Sequence, residues 1–228
     1  MDIAVIPARG GSKRIPRKNI RQFAGRPMLA HAIEAAQKSG LFERIVVSTD
    51  DDEIRSIALE WGAEVPFARP PALADDHTPT VPVVAHAISA CEAIGWELGH
   101  VCCIYPCAPF LQSADLVAGL ELLRTSNRDY CFPVAEFPSA IQRALKRDNA
   151  GALAPFSPDH ELIRTQDLEP AYFDAGQFYW GRRGAWLGSP RLHTSGAGLV
   201  IPTWRVVDID TMDDWARAEM LWRLQQQN

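Results

Sequence analysis

Ile3-Ala4-Val5-Ile6-Pro7-Ala8-Arg9-Gly10-Gly11-Ser12-Lys13-Arg14 runs from four apolar residues through a pair of glycines into a cluster of bases. A short apolar run closed by a turn signal reads as a buried strand, Ile3 to Pro7. Downstream, Met28, Leu29, Ala32, Ile33 and Ala36 recur at helical spacing and predict a helix from Met28 to Ser39. Strand, glycine-rich loop, helix is the order in which free backbone N–H groups and the positive end of a helix dipole meet an anion. Between Arg9 and Arg26 lie seven of the 23 basic residues and no acid, in a chain of net charge -5. The loop therefore suits a polyanion. Gly10 and Gly11 are expected to let the backbone approach it and to adopt positive φ, with Ser12, Lys13, Arg14, Lys18 and Asn19 as side-chain donors. Neither a Walker A motif nor a dinucleotide-binding Gly-x-Gly-x-x-Gly is present, so the cradle is of another kind.

Working outward, strand-like runs at Arg44 to Thr49, Val101 to Ile104, Tyr130 to Val134 and Arg205 to Ile209 alternate with helix-like stretches. The helices are predicted at Asp52 to Trp61, Val83 to Ile94, Ala114 to Thr125 and Met212 to Leu224, with Asp51, Ser113 and Thr211 as N-caps. This alternation predicts a mainly parallel α/β sheet whose ligands gather at the carboxyl ends of its strands. Residues 1–228 are expected to form one domain, with an arm inserted at about 137–172 that carries a hairpin turn at Asp148-Asn149-Ala150-Gly151. Such an arm suits a lid or a dimer contact. Five cysteines, two of them adjacent, argue for reduced core thiols, and no signal-like or membrane-length apolar segment is evident, so a cytoplasmic protein is expected.

Arg205-Val206-Val207-Asp208-Ile209-Asp210-Thr211 reads as a strand ending in two carboxylates. Residues i and i+2 of a strand share a side, which would let Asp208 and Asp210 face one hard cation such as Mg²⁺. A phosphate loop and a two-carboxylate metal site together imply nucleoside triphosphate chemistry. A basic loop could instead serve nucleic acid, but a pI of about 5.7 argues against that.

Ile6 to Asn19, Val47-Ser48-Thr49-Asp50, Arg69-Pro70 and Asp208-Ile209-Asp210-Thr211 resemble, nearly end to end, the cytidylyltransferases that activate nine-carbon keto-sugar acids. The resemblance implies a Rossmann-like three-layer α/β sandwich of the nucleotide-diphospho-sugar transferase type, with an excursion that completes a homodimer. It implies CMP transfer from CTP to the sugar acid with Mg²⁺. Ala8 and Arg9 would border cytosine and triphosphate, Gly10, Gly11 and Ser12 would cradle phosphate, and Lys18 and Asn19 would serve the α-phosphate and ribose end. Arg69 and Thr80 would lie by the base; Asp208 and Asp210 would hold the metal. Arg9, Lys18 and the two aspartates thus form the implied catalytic group.

On the sugar side, Tyr105-Pro106-Cys107-Ala108-Pro109-Phe110-Leu111 stands where sialic acid enzymes carry an amide and a guanidinium. Arg164 to Glu169 and Asp174-Ala175-Gly176-Gln177-Phe178-Tyr179 look like the pseudaminic acid branch, whose sugar carries two acylated amines. Tyr105, Gln177 and Phe178 are then expected at the sugar, with Arg143 and Arg164 on its carboxylate. Legionaminic, sialic and 3-deoxy-octulosonic acids remain alternative acceptors.

Overall fold

A computed structural model of the chain describes residues 1–188 and 191–225. In chain order the elements are β1 (Ile3–Pro7), β2 (Gln22–Phe23), β3 (Arg26–Pro27), α1 (Met28–Ser39), β4 (Arg44–Ser48), α2 (Asp52–Glu60), α3 (Thr80–Ala93), β5 (His100–Ile104), α4 (Ser113–Thr125) and β6 (Tyr130–Glu136). Then follow β7 (Leu145–Arg147), β8 (Leu153–Pro155), β9 (Tyr172–Asp174), β10 (Phe178–Arg182), α5 (Arg183–Gly188), β11 (Gly196–Val200) and α6 (Met212–Gln225). The main sheet has the order β11-β6-β10-β5-β1-β4, with β9 also paired to β6. Strands β4, β1 and β5 are parallel neighbours, as are β6 and β11, whereas β10 runs antiparallel between β5 and β6.

Alternation along the strands builds the layers. Ala4, Ile6, Val47, Cys102, Ile104 and Trp180 point to the side covered by α1, α2 and α4, while Ile3, Val5, Val46, Val101, Cys103 and Tyr179 point to the side covered by α3 and α5. The adjacent cysteines are thus split between the two faces, and all five thiols are free. The sheet is mainly parallel and lies between two helical layers, as expected.

Three local expectations changed. Arg205 to Ile209 is no strand: Thr203–Arg205 forms a 3-10 turn and the chain stays extended but unpaired to Asp210. Ile209 and Val207 pack with Trp215 of α6 and Ile15 of the loop, so their apolar side chains are buried without joining the sheet. The sheet positions go instead to β10 and β11, neither of which is among the strand-like runs of the sequence. Glycine fits β11 closely: a Cβ on Gly196 would lie 2.3 Å from Phe132 Cε1 of β6. Helix α3 starts at Thr80 because Pro82 in its first turn needs no N–H partner. Ser113 opens α4 without capping it, whereas Asp51 accepts the Ile54 N–H at 2.9 Å and Thr211 exchanges hydrogen bonds with Asp214. Residues 137–171 leave the sheet between β6 and β9, and the Asp148 turn joins β7 to β8 as read.

Candidate active site

A cleft of ≈ 540 Å³ opens at the carboxyl ends of β1 and β5. Ala8, just after β1, is buried, its N–H donating to the Ser48 carbonyl at 3.0 Å. Neither Gly10 nor Gly11 has positive φ; the left-handed positions between Arg9 and Arg26 are Arg17, Ala24 and Gly25. The glycine at position 10 serves closeness instead. Its N–H donates to Asp50 at 3.1 Å, and a Cβ there would lie 2.6 Å from the Asp51 carboxylate.

Arg9, Ser12, Lys18, Asn19, Arg69 and Thr80 all line this cleft, so six of the nine expected nucleotide residues converge on it. The loop's cations are met by acids from other elements. Arg9 and Lys13 both pair with Asp76, which they hold at about 2, Lys13 contributing most. Arg14 donates to Asp210 at 2.7 Å; Lys18 donates to the Ile209 carbonyl at 2.7 Å and lies 3.4 Å from Asp210. Asn19 is buried and spends its amide on the Arg9 carbonyl at 2.9 Å, while the Cys107 thiol donates to its oxygen at 3.3 Å. Burial pushes that thiol up to about 11, so it stays a neutral donor. Arg69 is buried against Ser48; burial pulls it down to about 10, still charged at neutral pH.

Asp208 and Asp210 border the same cleft, carried by the unpaired segment after Arg205. That segment is fixed by a buried bidentate pair, Arg205 to Asp115 of α4 at 2.5 and 3.2 Å. Partial burial and then the charge of Asp210 push the Asp208 carboxyl up. Asp208 has no hydrogen bond or ion pair among the described residues, while Asp210 is shared by Arg14 and Lys18. An unpaired carboxylate beside a like charge, facing a cleft, fits a hard divalent cation that takes few protein ligands.

The other wall is built around Tyr105, whose hydroxyl meets Thr80 Oγ1 at 2.7 Å, and around Phe173 to Gly176. Gln177 and Phe178 do not reach the cleft. Gln177 is buried and donates to the Arg205 carbonyl at 2.9 Å, and Phe178 lies in the core beside α4, because alternation along β10 turns it away. Arg143 and Arg164 sit exposed on the arm, Arg164 paired with Asp167 at 2.7 Å, and neither lines the cleft of this chain. Asp76, Cys107, Asp174 and Arg205 were missed as site residues. Cys107, Asp174 and Arg205 stood inside quoted motifs with no site role assigned, and nothing local in sequence marked Asp76.

A family model described as Cytidylyltransferase matches residues 3–183. The chain belongs to the cytidylyltransferase family. This cytidylyltransferase is therefore a nucleotidyltransferase enzyme, in agreement with the motifs that first pointed to it. It is 40% identical over 224 residues to a pseudaminic acid cytidylyltransferase of Campylobacter jejuni, covering 98% of this chain and 97% of that one. It is 30% identical to a CMP-N,N'-diacetyllegionaminic acid synthase of Legionella pneumophila, covering 99% and 97%. Among solved structures, a CMP:2-keto-3-deoxy-manno-octonic acid synthetase complexed with CTP superposes with a TM-score of 0.72 at 16% identity, covering 98% and 99%. That likeness supports the Rossmann-like α/β fold of the cytidylyltransferase.

Proposed function

We propose that this cytidylyltransferase transfers CMP from CTP to the anomeric hydroxyl of pseudaminic acid, releasing pyrophosphate. The observation that carries the reading is one cleft in which Arg9, Ser12 and Lys18 of the basic loop face Asp208 and Asp210, with Tyr105 and Asp174 beyond. Full-length relatives named for the same reaction support it.

Phosphoryl transfer asks a protein mainly for positioning and charge stabilisation. Arg9 and Ser12 hold the triphosphate, and Lys18, reaching across from the loop, meets the charge that develops as the hydroxyl attacks the α-phosphorus in line. Arg69 and Thr80 border the base. Asp208 and Asp210 would hold Mg²⁺, which would neutralise phosphate charge. The partly buried Cys107–Asn19–Arg9 chain keeps the loop in register for these contacts. Five unpaired thiols fit a reducing compartment such as the cytoplasm. Exposed apolar side chains on the arm, among them Leu153, Phe156 and Leu162, support a homodimer.

Pyrophosphate release tests the reading, with CTP, ATP, GTP and UTP each offered beside pseudaminic, legionaminic, sialic and 3-deoxy-octulosonic acids in Mg²⁺. Release with CTP and pseudaminic acid is expected to dominate. Asp208→Ala and Asp210→Ala are each expected to lower kcat by about 100-fold or more. Near-normal turnover of both would remove the metal assignment, and release with another acid would correct the acceptor.

A further inference from the structure

Asp174 closes β9, which lies in line with β10 and beyond the carboxyl end of β5. Two strand spacings of about 4.8 Å separate that line from β1, so Asp174 stands roughly 10 Å to the side of the phosphate loop. The bases on the loop side, Arg9, Lys13, Arg14 and Lys18, are already met by Asp76 and Asp210, with Arg69 beside them. The Asp174 side offers a carboxylate whose ion-pair partner among the described residues is His193.

That carboxylate is held from three directions. Its Oδ1 accepts the Gly176 N–H at 2.8 Å, and its Oδ2 accepts the Tyr179 hydroxyl at 2.9 Å and meets His193 Nε2 at 2.8 Å. Tyr179 is buried, and burial together with Tyr105 and Asp174 keeps its phenol far above the ordinary range, so it remains an O–H donor. His193 is exposed but rests its ring edge-on against Phe132, centroids 5.2 Å apart. An ionised carboxylate accepts at about four positions, of which three are filled. The fourth belongs to a residue that lines the cleft. An acceptor-only group there repels the carboxylate of a sugar acid and takes a neutral donor.

We propose that Asp174 is a specificity-determining residue for the acceptor: its carboxylate, held by Tyr179 and His193 as positioning residues, takes the N–H of an acylamino substituent on the sugar acid. The sugar's own carboxylate is thereby turned toward the basic loop. This inference rests on the function proposed above and assigns its acceptor subsite.

The test is steady-state kinetics of the full-length protein, varying sugar acid at saturating CTP and then CTP at saturating acid, for wild type, D174N, H193A and H193Q. A hydrogen bond to a charged group is worth roughly tenfold or more, so D174N is expected to raise the KM for pseudaminic acid by about that factor while the KM for CTP stays within about twofold. H193A is expected to raise the same KM by about threefold, and H193Q, which presents an amide N–H to the same oxygen, to restore most of it. With 3-deoxy-octulosonic acid, which has hydroxyls and no acylamine, D174N should change kcat/KM little, so the preference for the acylamino acid collapses. Equal shifts in both KM values, no shift in either, or equal loss with both acids overturns the assignment. His193 is exposed, so H193A folds whatever happens to D174N and decides the point by its own KM split. Wild-type release with legionaminic acid in place of pseudaminic acid would overturn the parent reading while leaving this comparison to be made on that acid. Wild-type turnover of 3-deoxy-octulosonic acid alone would overturn this one.

Discussion

Arg17 adopts φ 56°, a conformation that costs a side-chain-bearing residue energy unless neighbours hold it. Asp51 does so, accepting from both guanidinium nitrogens at 2.6 and 2.9 Å while capping α2. One carboxylate thus ties the phosphate loop to the helix after β4. Asp51→Ala is expected to lower stability by about 1 kcal/mol for the lost cap alone, with further loss from the freed Arg17, read from urea unfolding. The hydrogen bond from Arg17, foremost, holds Asp51 at about 2, below its unfolded value of 3.8. A depressed folded-state value favours the native state above pH 4, and that contribution fades as pH falls from about 4 to 2. Acid unfolding of the Asp51→Ala protein should therefore be flatter in that window. Asp76 occupies Arg9 and Lys13, two cations expected at the triphosphate. Incoming phosphate competes with it, so Asp76→Asn is expected to lower the KM for CTP by about threefold at low salt, and less at high salt.

At the scale of elements, the segment from Thr203 to Asp210 gains its position without strand pairing. Arg205 is buried, forks onto Asp115 in the first turn of α4, and lends its carbonyl to Gln177. Ile209 anchors the far end against Trp215, and Lys18 donates to its carbonyl. Two carboxylates therefore reach the cleft on a tether pinned at both ends. Removing one member of a buried ion pair strands its partner, at a cost of about 3–5 kcal/mol. Arg205→Met should lower stability by that amount in urea titration. At temperatures where it remains folded, it should also weaken the response of turnover to added Mg²⁺, because Asp208 and Asp210 lose their anchor. Pairing Arg205→Met with Asp115→Leu is expected to recover stability, since no charge is then left buried.

For the whole molecule, residues 137–171 present apolar side chains to water, with Leu162 95% exposed and Phe156 65% exposed. An exposed apolar patch of this kind marks an interface more often than a solvated surface. Sedimentation is expected to give a mass near twice 25.3 kDa, shifting toward the single-chain value for Leu153→Asp combined with Phe156→Asp. The sequence by itself determined the strand, loop and helix of residues 3–39, the alternation that makes a mainly parallel sheet, the basic loop that carries Arg9, Ser12 and Lys18, and the family. Those features are local: apolar period, glycine pairs and a motif of fixed spacing are all readable within about twenty residues. Tertiary structure alone decided that Phe178 to Arg182 enters the middle of the sheet against its neighbours, that Arg205 to Ile209 stays outside it, and that Phe178 points into the core. It also decided which acid meets each basic residue of the loop. Strand order and ion pairing depend on partners distant in sequence, such as Arg205 with Asp115, 90 residues apart, and no local pattern encodes which of several apolar or charged segments arrives first.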